Sequence, residues 1–134
     1  MGLNVFVDSN IIIYYLEKNE HFFPLVSPYF EKCQKKELIL FTSSISFMEV
    51  LVPVVSINNR GLEIKYGYLF KNFLKVLDID LNIAKIGAYI KGKYRIKTPD
   101  ALQIACASSA SCDEFLTADT GIDKINEIKI KIIK

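Results

Sequence analysis

Short apolar runs alternate along the chain with longer stretches in which apolar residues recur at helical spacing. The short runs have strand length and predict five strands, at residues 3–7, 38–41, 76–79, 114–117 and 128–132. Because helical stretches separate these runs, the pattern indicates βαβ units and a mostly parallel sheet. The sequence therefore predicts an α/β fold.

The intervening stretches predict six helices, at residues 10–18, 21–36, 44–56, 63–75, 82–93 and 98–109. Ser44 and Thr98 are the predicted N-caps of the third and sixth helices, and Pro99 suits the first helical position after Thr98. Pro28 predicts a kink in the second helix. Pro53 predicts a kink or an early end in the third, because proline removes a backbone donor.

Size and composition indicate one globular domain spanning residues 1–134. Half of the residues are hydrophobic (51%) and 24% are charged, which is typical of a chain with a real core. The formal net charge of +2 gives no bulk attraction to polyanions. Any affinity for nucleic acid must therefore come from local charge placement.

The cysteines and the apolar runs indicate a soluble, cytoplasmic protein. Cys33, Cys106 and Cys112 form no CxxC pair and are odd in number, so we expect buried, reduced thiols. The N-terminus lacks the basic and apolar regions of a signal peptide. The longest uninterrupted apolar stretch, residues 50–55, is far too short to span a bilayer.

Four acidic residues stand at the ends or starts of apolar segments: Asp8, Glu49, Asp100 and Asp119. Asp8 and Asp119 each follow a predicted strand, and the carboxyl ends of parallel strands share one edge of a sheet. Carboxylates in apolar surroundings need a compensating partner, and no Lys or Arg stands directly beside these four. Their oxygens suit Mg²⁺ or Mn²⁺, and with His21 as the only histidine, expected at the surface, no competing zinc site is evident.

Each acid also has a structural explanation, and the sequence leaves these open. Asp8 or the following Ser9 suits a helix N-cap. Glu49 suits a solvated stripe of its helix, and the helix dipole alone would favour Asp100 in a first turn. Asp123 is either a fifth acid near the site or a surface residue.

Together these segments resemble the PIN domain family of metal-dependent ribonucleases, which includes the VapC-type toxins of prokaryotic toxin–antitoxin pairs. The resemblance covers essentially the whole chain. Its motifs follow in the family's order: Val7-Asp8-Ser9-Asn10, Glu49, Thr98-Pro99-Asp100-Ala101-Leu102 and Leu116-Thr117-Ala118-Asp119.

The resemblance implies a three-layer α/β/α sandwich with a mostly parallel five-stranded sheet in the order 3-2-1-4-5. It implies a Mg²⁺- or Mn²⁺-dependent endoribonuclease that hydrolyses phosphodiester bonds of single-stranded RNA, with a cognate antitoxin as a further partner. The catalytic and metal-binding residues would be Asp8, Glu49, Asp100 and Asp119. The supporting polar residues would be Ser9, Asn10 and Thr117.

A basic cluster directly precedes Asp100 and supplies candidate RNA contacts: Lys91, Lys93, Tyr94, Arg95 and Lys97. The functional interpretation is a phosphate track with an aromatic ring available for base stacking. The alternative is a solvated helix end whose basic residues complement the helix dipole.

Aromatic residues are more numerous than one sheet face needs: Tyr14, Tyr15, Tyr66, Tyr68, Phe70 and Phe73. They indicate either core packing or an interface, for a homodimer or an antitoxin. An alternative function is a catalytically silent PIN-like module that binds RNA or protein in RNA processing. The presence of all four acids argues against that alternative. A haloacid-dehalogenase-type phosphatase is disfavoured because Asn10 stands where its second aspartate would be.

Overall fold

A parallel sheet of five strands organises the protein in the computed structural model, which describes residues 2–134. The strands are β1 (Leu3–Val7), β2 (Leu38–Ser43), β3 (Lys75–Leu77), β4 (Glu114–Thr117) and β5 (Lys129–Ile132). Their order is β3-β2-β1-β4-β5, with every neighbouring pair parallel. The predicted sheet order is therefore confirmed.

Six helices connect the strands: α1 (Ser9–Leu16), α2 (Phe23–Gln34), α3 (Ser44–Ser56), α4 (Arg60–Asn72), α5 (Leu81–Tyr94) and α6 (Thr98–Ser109). A 3₁₀ turn, Thr120–Ile122, follows β4. The predicted helix positions are confirmed to within a few residues. No helix within residues 2–134 is long and apolar enough to cross a membrane.

The central strand separates two hydrophobic cores, because successive side chains of a strand point to opposite faces. Val5 and Val7 pack with residues of α1 to α4 on one face. Phe6 points to the other face, among residues of α5 and α6, and its ring stacks on Phe115 with centroids 5.2 Å apart. Val5, Phe6 and Val7 are all fully buried, as expected for a strand that is covered on both faces.

The start of the third helix differs from the prediction by one residue. β2 extends two residues beyond the predicted strand, to Ser43, because the hydroxyl of Thr42 donates to the carbonyl of Val7 at 2.9 Å and so satisfies a buried polar group. Ser43, not Ser44, caps α3, and its Oγ accepts from the amide of Ile45 at 3.2 Å.

The sixth helix shows a similar shift. Lys97 occupies the N-cap without a side-chain hydrogen bond, so Thr98 is the first helical residue and Pro99 the second. The predicted cap at Thr98 is therefore wrong. Pro99 still lies in the first turn, where a missing amide hydrogen costs little.

Pro53 does not end α3 early, since the helix continues to Ser56. Pro53 has no amide hydrogen, so the backbone carbonyl of Glu49, four residues earlier, receives no helical hydrogen bond. Both residues are exposed, so water can donate to that carbonyl instead. Val50 and Val54 are buried on the opposite face and hold the helix against the sheet. Pro28 likewise lies inside α2.

The cysteines are free thiols, as predicted. Cys106 is buried, whereas Cys33 and Cys112 are half-buried. Burial raises the pKa of Cys106 to about 11 and that of Cys112 to about 12, so both thiols are protonated at neutral pH.

Candidate active site

Asp8 lies at the junction of β1 and α1, and each of its carboxylate oxygens has a different partner. Oδ1 accepts from the backbone amide of Ser9 at 2.9 Å, which makes Asp8 the N-cap of α1. Oδ2 accepts from the hydroxyl of Thr117 on β4 at 2.8 Å. The side chain is only 7% exposed. Asp8 therefore caps α1 and also lies at the carboxyl edge of the sheet. Ser9 is not the cap.

Thr117 joins two of the predicted acids through one hydroxyl. Besides donating to Asp8, its Oγ1 accepts from the backbone amide of Asp119 at 3.0 Å. Asn10 completes this arrangement: its Nδ2 lies 3.4 Å from Thr117 Oγ1, and its Oδ1 accepts from the amide of Ala118 at 3.3 Å. Thr117 is fully buried, so these contacts are shielded from water. Asn10 and Thr117 thus lie where the sequence placed them, in contact with the acids.

Asp119 lies two residues beyond the end of β4 and is half-buried. Its Oδ1 accepts from the amide of Gly121 at 2.8 Å and caps the 3₁₀ turn. Gly121 suits this position, because a Cβ built there would lie 3.1 Å from that same Oδ1. The turn therefore fixes the orientation of the Asp119 side chain.

Asp100 lies in the first turn of α6, as predicted, and is half-buried. Burial raises its pKa, and the negative charges of Asp8 and Asp119 raise it further. The nearby cation of Lys97 opposes this rise. Asp100 therefore lies within electrostatic range of both Asp8 and Asp119.

Glu49 reaches the same region from α3 but remains exposed. This exposure agrees with the alternative that the sequence left open for Glu49, a solvated position on its helix. Its negative charge nevertheless contributes to raising the pKa of Asp8, after the larger effect of burial. Glu49 is therefore a neighbour of the buried carboxylate on the solvent side.

None of the four acids forms an ion pair with a lysine or arginine among the described residues. The ion pairs among residues 2–134 are Lys93–Glu127 and Lys129–Glu114, and neither involves a predicted site acid. In the same range, no three His, Cys, Asp or Glu side chains are close enough together, as they stand, to hold a metal ion. Hard oxygen donors with excess negative charge nevertheless fit a divalent cation, which would relieve the repulsion that, after burial, raises the pKa of Asp8 and Asp100.

Two polar residues beside the acids were not predicted from the sequence. Gln103 on α6 and Ser46 on α3 are buried, and Gln103 Nε2 donates to Ser46 Oγ at 2.5 Å. The hydroxyl of Ser43 donates to the carbonyl oxygen of the same glutamine. The available signal was spacing: Gln103 lies three residues after Asp100, on the same face of an otherwise small and apolar helix.

Comparison of sequences decides the family. Residues 5–128 match the PIN domain. The chain belongs to the PIN domain family. No curated protein matches the sequence.

Solved structures share the fold of this PIN domain over nearly its whole length. VapBC2 from Rickettsia felis, bound to a DNA fragment from its promoter, is 14% identical with a TM-score of 0.77 and covers 97% of this chain and 98% of that chain. FitAcB from Neisseria gonorrhoeae is 18% identical with a TM-score of 0.73, and the match covers 94% of this chain and 95% of that chain. VapC20 from Mycobacterium tuberculosis, described as a Sarcin-Ricin loop cleaving toxin, is 10% identical with a TM-score of 0.70, covering 93% and 98%.

Basic residues of the PIN domain border a groove beside two of the acids. Arg95, Lys97 and Lys124 line it together with Asp100 and Asp119, and its volume is about 350 Å³. All three cations are exposed. Lys124 was not among the predicted contacts, because it lies after the last acid in a segment without a recognisable motif.

The other basic residues of the predicted cluster are held at the end of α5. Lys91 Nζ donates to the carbonyl of Ile96 at 2.9 Å. Lys93 pairs with Glu127 at 3.3 Å, and the hydroxyl of Tyr94 donates to the same carboxylate at 2.6 Å. These contacts favour the helix-end interpretation for Lys91, Lys93 and Tyr94. His21 is exposed, as predicted, and Asp123 is also exposed, which agrees with the surface alternative for that residue.

The aromatic residues divide between the core and a surface groove. Tyr66 and Phe70 are buried, which agrees with core packing. Tyr68 is 61% exposed, and together with Tyr15 and Phe73 it lines an apolar groove of about 360 Å³ between α1, α2 and α4. Tyr14 is half-buried and stacks on Phe22, with ring centroids 4.3 Å apart.

The raised pKa of Asp8 predicts how the stability of the metal-free protein depends on pH. Burial favours the neutral acid, so the fold gains stability below the usual pKa of 3.8 and loses it as pH rises through the higher folded value. We expect the free energy of unfolding to fall over this range by about 1.4 kcal/mol per unit of upward shift. Asp8→Asn should flatten the dependence, as measured by urea unfolding in EDTA between pH 4 and pH 7.5.

The exposed Glu63 on α4 provides the matched control. Glu63→Gln removes one carboxylate without changing the buried site, so its pH dependence should follow that of the wild type. Equal pH dependence in the wild type and Asp8→Asn would contradict the assignment of this effect to Asp8.

Proposed function

We propose that the protein is a Mg²⁺- or Mn²⁺-dependent endoribonuclease that hydrolyses phosphodiester bonds of single-stranded RNA. The observation that carries the proposal is the buried carboxylate of Asp8, which has no cationic partner among residues 2–134 and lies within electrostatic range of Glu49 and Asp100. Membership of the PIN domain family supports it, since these domains are generally nucleases. The fold shared with VapC20, a toxin described as cleaving the Sarcin-Ricin loop, is consistent with RNA as the substrate.

The residues that would hold the cation are Asp8, Glu49, Asp100 and Asp119. When bound there, a divalent ion would polarise the scissile phosphate and lower the pKa of a water molecule. The donor set favours Mg²⁺ or Mn²⁺, because all four groups are carboxylates and the one histidine is exposed and distant in sequence.

The chain's own contribution is to hold these carboxylates in place before substrate arrives. The hydroxyl of Thr117 fixes one oxygen of Asp8, and the amide of Ser9 fixes the other. Gly121 holds Asp119 through its backbone amide. Because these partners lie at strand ends and helix starts, Asp8 and Asp119 keep fixed orientations before a phosphodiester arrives.

The groove bordered by Arg95, Lys97 and Lys124 is the proposed track for the RNA backbone. It includes Asp100 and Asp119, so a phosphate chain lying along the cations would pass the acids directly. Exposed basic side chains bind phosphates without reading the base sequence. We therefore assign Arg95, Lys97 and Lys124 to substrate binding rather than to chemistry.

An antitoxin is the proposed protein partner, and the apolar groove containing Tyr68 is its proposed docking site. Structures named as a toxin–antitoxin complex from Klebsiella pneumoniae and as a member of the VapBC family of toxin–antitoxin systems from Mycobacterium tuberculosis share the fold over at least 92% of this chain. Residues of α1, α2 and α4 line the groove, which is mostly apolar and includes Lys65, so it suits an apolar segment that carries an acidic residue.

The homodimer predicted from the sequence stays a prediction. α3 exposes apolar side chains away from the groove, namely Met48, Val52 and Val55. A second copy that covered this stripe would leave the antitoxin groove free.

Cleavage of a fluorescently labelled single-stranded RNA in Mn²⁺ tests the proposed activity. We expect the wild type to cleave the RNA. Removing a group that only supports a metal ligand typically lowers activity by roughly 10- to 100-fold, and Asp100→Asn should lower it further because it changes a proposed ligand itself. The melting temperature of the metal-free variant should stay unchanged or rise, because one of the repelling charges is removed. Asp123→Asn, at an exposed acid, should cleave like the wild type.

Two results would contradict the proposed site. One is an Asp100→Asn variant that is as active as the wild type. The other is a large loss of stability in the metal-free variant, which would make Asp100 a structural residue that acts through the amides of α6.

The phosphate track is tested by a Lys97→Ala/Lys124→Ala double variant. We expect the KM for RNA to rise several-fold at unchanged kcat, and the salt dependence of binding to weaken by about 0.7 in log–log slope for each phosphate that the variant no longer binds. Lys32→Ala is the control, because Lys32 lies near Leu3 and Leu38 at the amino ends of β1 and β2. If the control raises KM as much as the double variant, the binding is not local to the groove.

The docking site is tested by co-expressing the chain with the protein encoded beside its gene. Tyr68→Glu places a charge in the apolar groove, so we expect the partner to be lost during co-purification. Tyr89→Glu is the matched control, since Tyr89 on α5 is 73% exposed and lies outside the groove. A partner that stays bound to the Tyr68 variant would exclude this docking site.

A further inference from the structure

A buried polar cluster formed by Ser43, Ser46 and Gln103 lies beside the acids. The two serines are fully buried and Gln103 is 1% exposed. The hydroxyl of Ser43 donates to Gln103 Oε1, and Gln103 Nε2 donates to Ser46 Oγ at 2.5 Å. Both ends of the carboxamide are thus used, which a buried amide requires if it is not to destabilise the fold.

The cluster joins two helices that each carry a predicted acid. Ser43 caps α3 and Ser46 lies in its first turn, three residues before Glu49. Gln103 lies on α6, three residues after Asp100. Residues three apart share a helix face. The carboxamide therefore connects the two faces that present Glu49 and Asp100.

Asp8 lies next to this connection. Burial raises the pKa of Asp8, and hydrogen bonding from the Gln103 side chain acts in the opposite direction. Gln103 is thus close to the central carboxylate as well as to both helices. An apolar residue of similar volume would fill the same space but would hold neither serine.

We propose that Gln103 is a positioning residue, which sets the spacing of α3 and α6 around Asp8 through Ser43 and Ser46. This inference rests on the proposed function. The cluster acts at a distance from the substrate, since its members are buried, whereas the acids they position reach the sheet edge. Its loss should therefore weaken divalent-cation binding and leave the affinity for RNA almost unchanged.

The residue types of the cluster support a positioning role. Ser43 needs an acceptor and Ser46 needs a donor, and a glutamine supplies both from one rigid amide plane. The contacts span 60 and 57 residues of sequence, so no local backbone interaction can replace them. Groups that hold metal ligands typically affect metal affinity or activity by 10- to 100-fold.

The test measures Mn²⁺ binding to the purified protein by isothermal titration calorimetry, together with kcat and KM for RNA. In the Ser46→Ala/Gln103→Met variant the methionine keeps the side-chain length and the alanine removes one of the two hydroxyls that would lose their partner, while Ser43 keeps its capping hydrogen bond from Ile45. We expect about tenfold weaker Mn²⁺ binding, a lower kcat at fixed Mn²⁺ concentration and a KM for RNA within twofold of the wild type.

Thr42→Val is the matched control. Thr42 is also a fully buried hydroxyl residue at the end of β2, but it donates to the carbonyl of Val7 within the sheet and joins no helices. This variant should lose stability and keep the Mn²⁺ affinity of the wild type. Ser46→Ala alone, the smallest change, supplies a folded variant if the double variant does not fold, and it should weaken Mn²⁺ binding about threefold.

The outcomes separate this inference from the proposed function. A wild type that binds no Mn²⁺ and cleaves no RNA overturns the proposed function and the positioning role with it. A wild type that binds Mn²⁺, together with folded cluster variants that bind it equally well, overturns the positioning role alone. If Thr42→Val weakens Mn²⁺ binding as much as the cluster variants do, the effect is a general loss of stability and the inference is also wrong.

Discussion

The hydrogen bond between the hydroxyl of Thr117 and the carboxylate of Asp8 is the constraint on which the rest of the site depends. It joins the carboxyl ends of β4 and β1, which are neighbours in the sheet. Burying the Asp8 charge is unfavourable, and only the Thr117 hydroxyl, the Ser9 amide and nearby polar groups offset part of that cost. The fold thus maintains a carboxylate that is held firmly but is incompletely neutralised, which is the condition under which a cation binds tightly.

This arrangement follows from the topology of the sheet. Parallel strands bring their carboxyl ends to one edge, and β1 at the centre is flanked by β2 and β4. Asp8 directly follows β1, α3 begins where β2 ends, and Asp119 lies just past β4. The acids therefore approach one edge of the sheet because of strand order, although they are far apart in sequence. The flanking helices add Asp100 and Glu49 from the two layers that cover the sheet.

The local pattern was sufficient for the strands and helices and for the elements that carry Asp8, Asp100 and Asp119, whereas the sheet order followed only from the resemblance to the PIN domain family. The local pattern was insufficient where two hydrogen-bonding solutions differ by one residue, as at the cap of α3, where Ser43 and Ser44 are both good caps. It also missed Gln103, since a polar residue in an apolar helix shows its purpose only when the facing serines of α3 are in place. The exposure of Glu49 depended in the same way on how α3 packs.

The distance along the chain between Asp8 and Thr117, 109 residues, has a consequence for synthesis. The ribosome synthesises β1 well before the residue that orients its carboxylate, and β4 must insert beside β1 before the two can meet. Such non-local pairing is slow compared with local helix formation. A growing polypeptide that still lacks β4 has no Thr117 hydroxyl to hold the Asp8 carboxylate, so the acidic edge forms only after β4 has been synthesised.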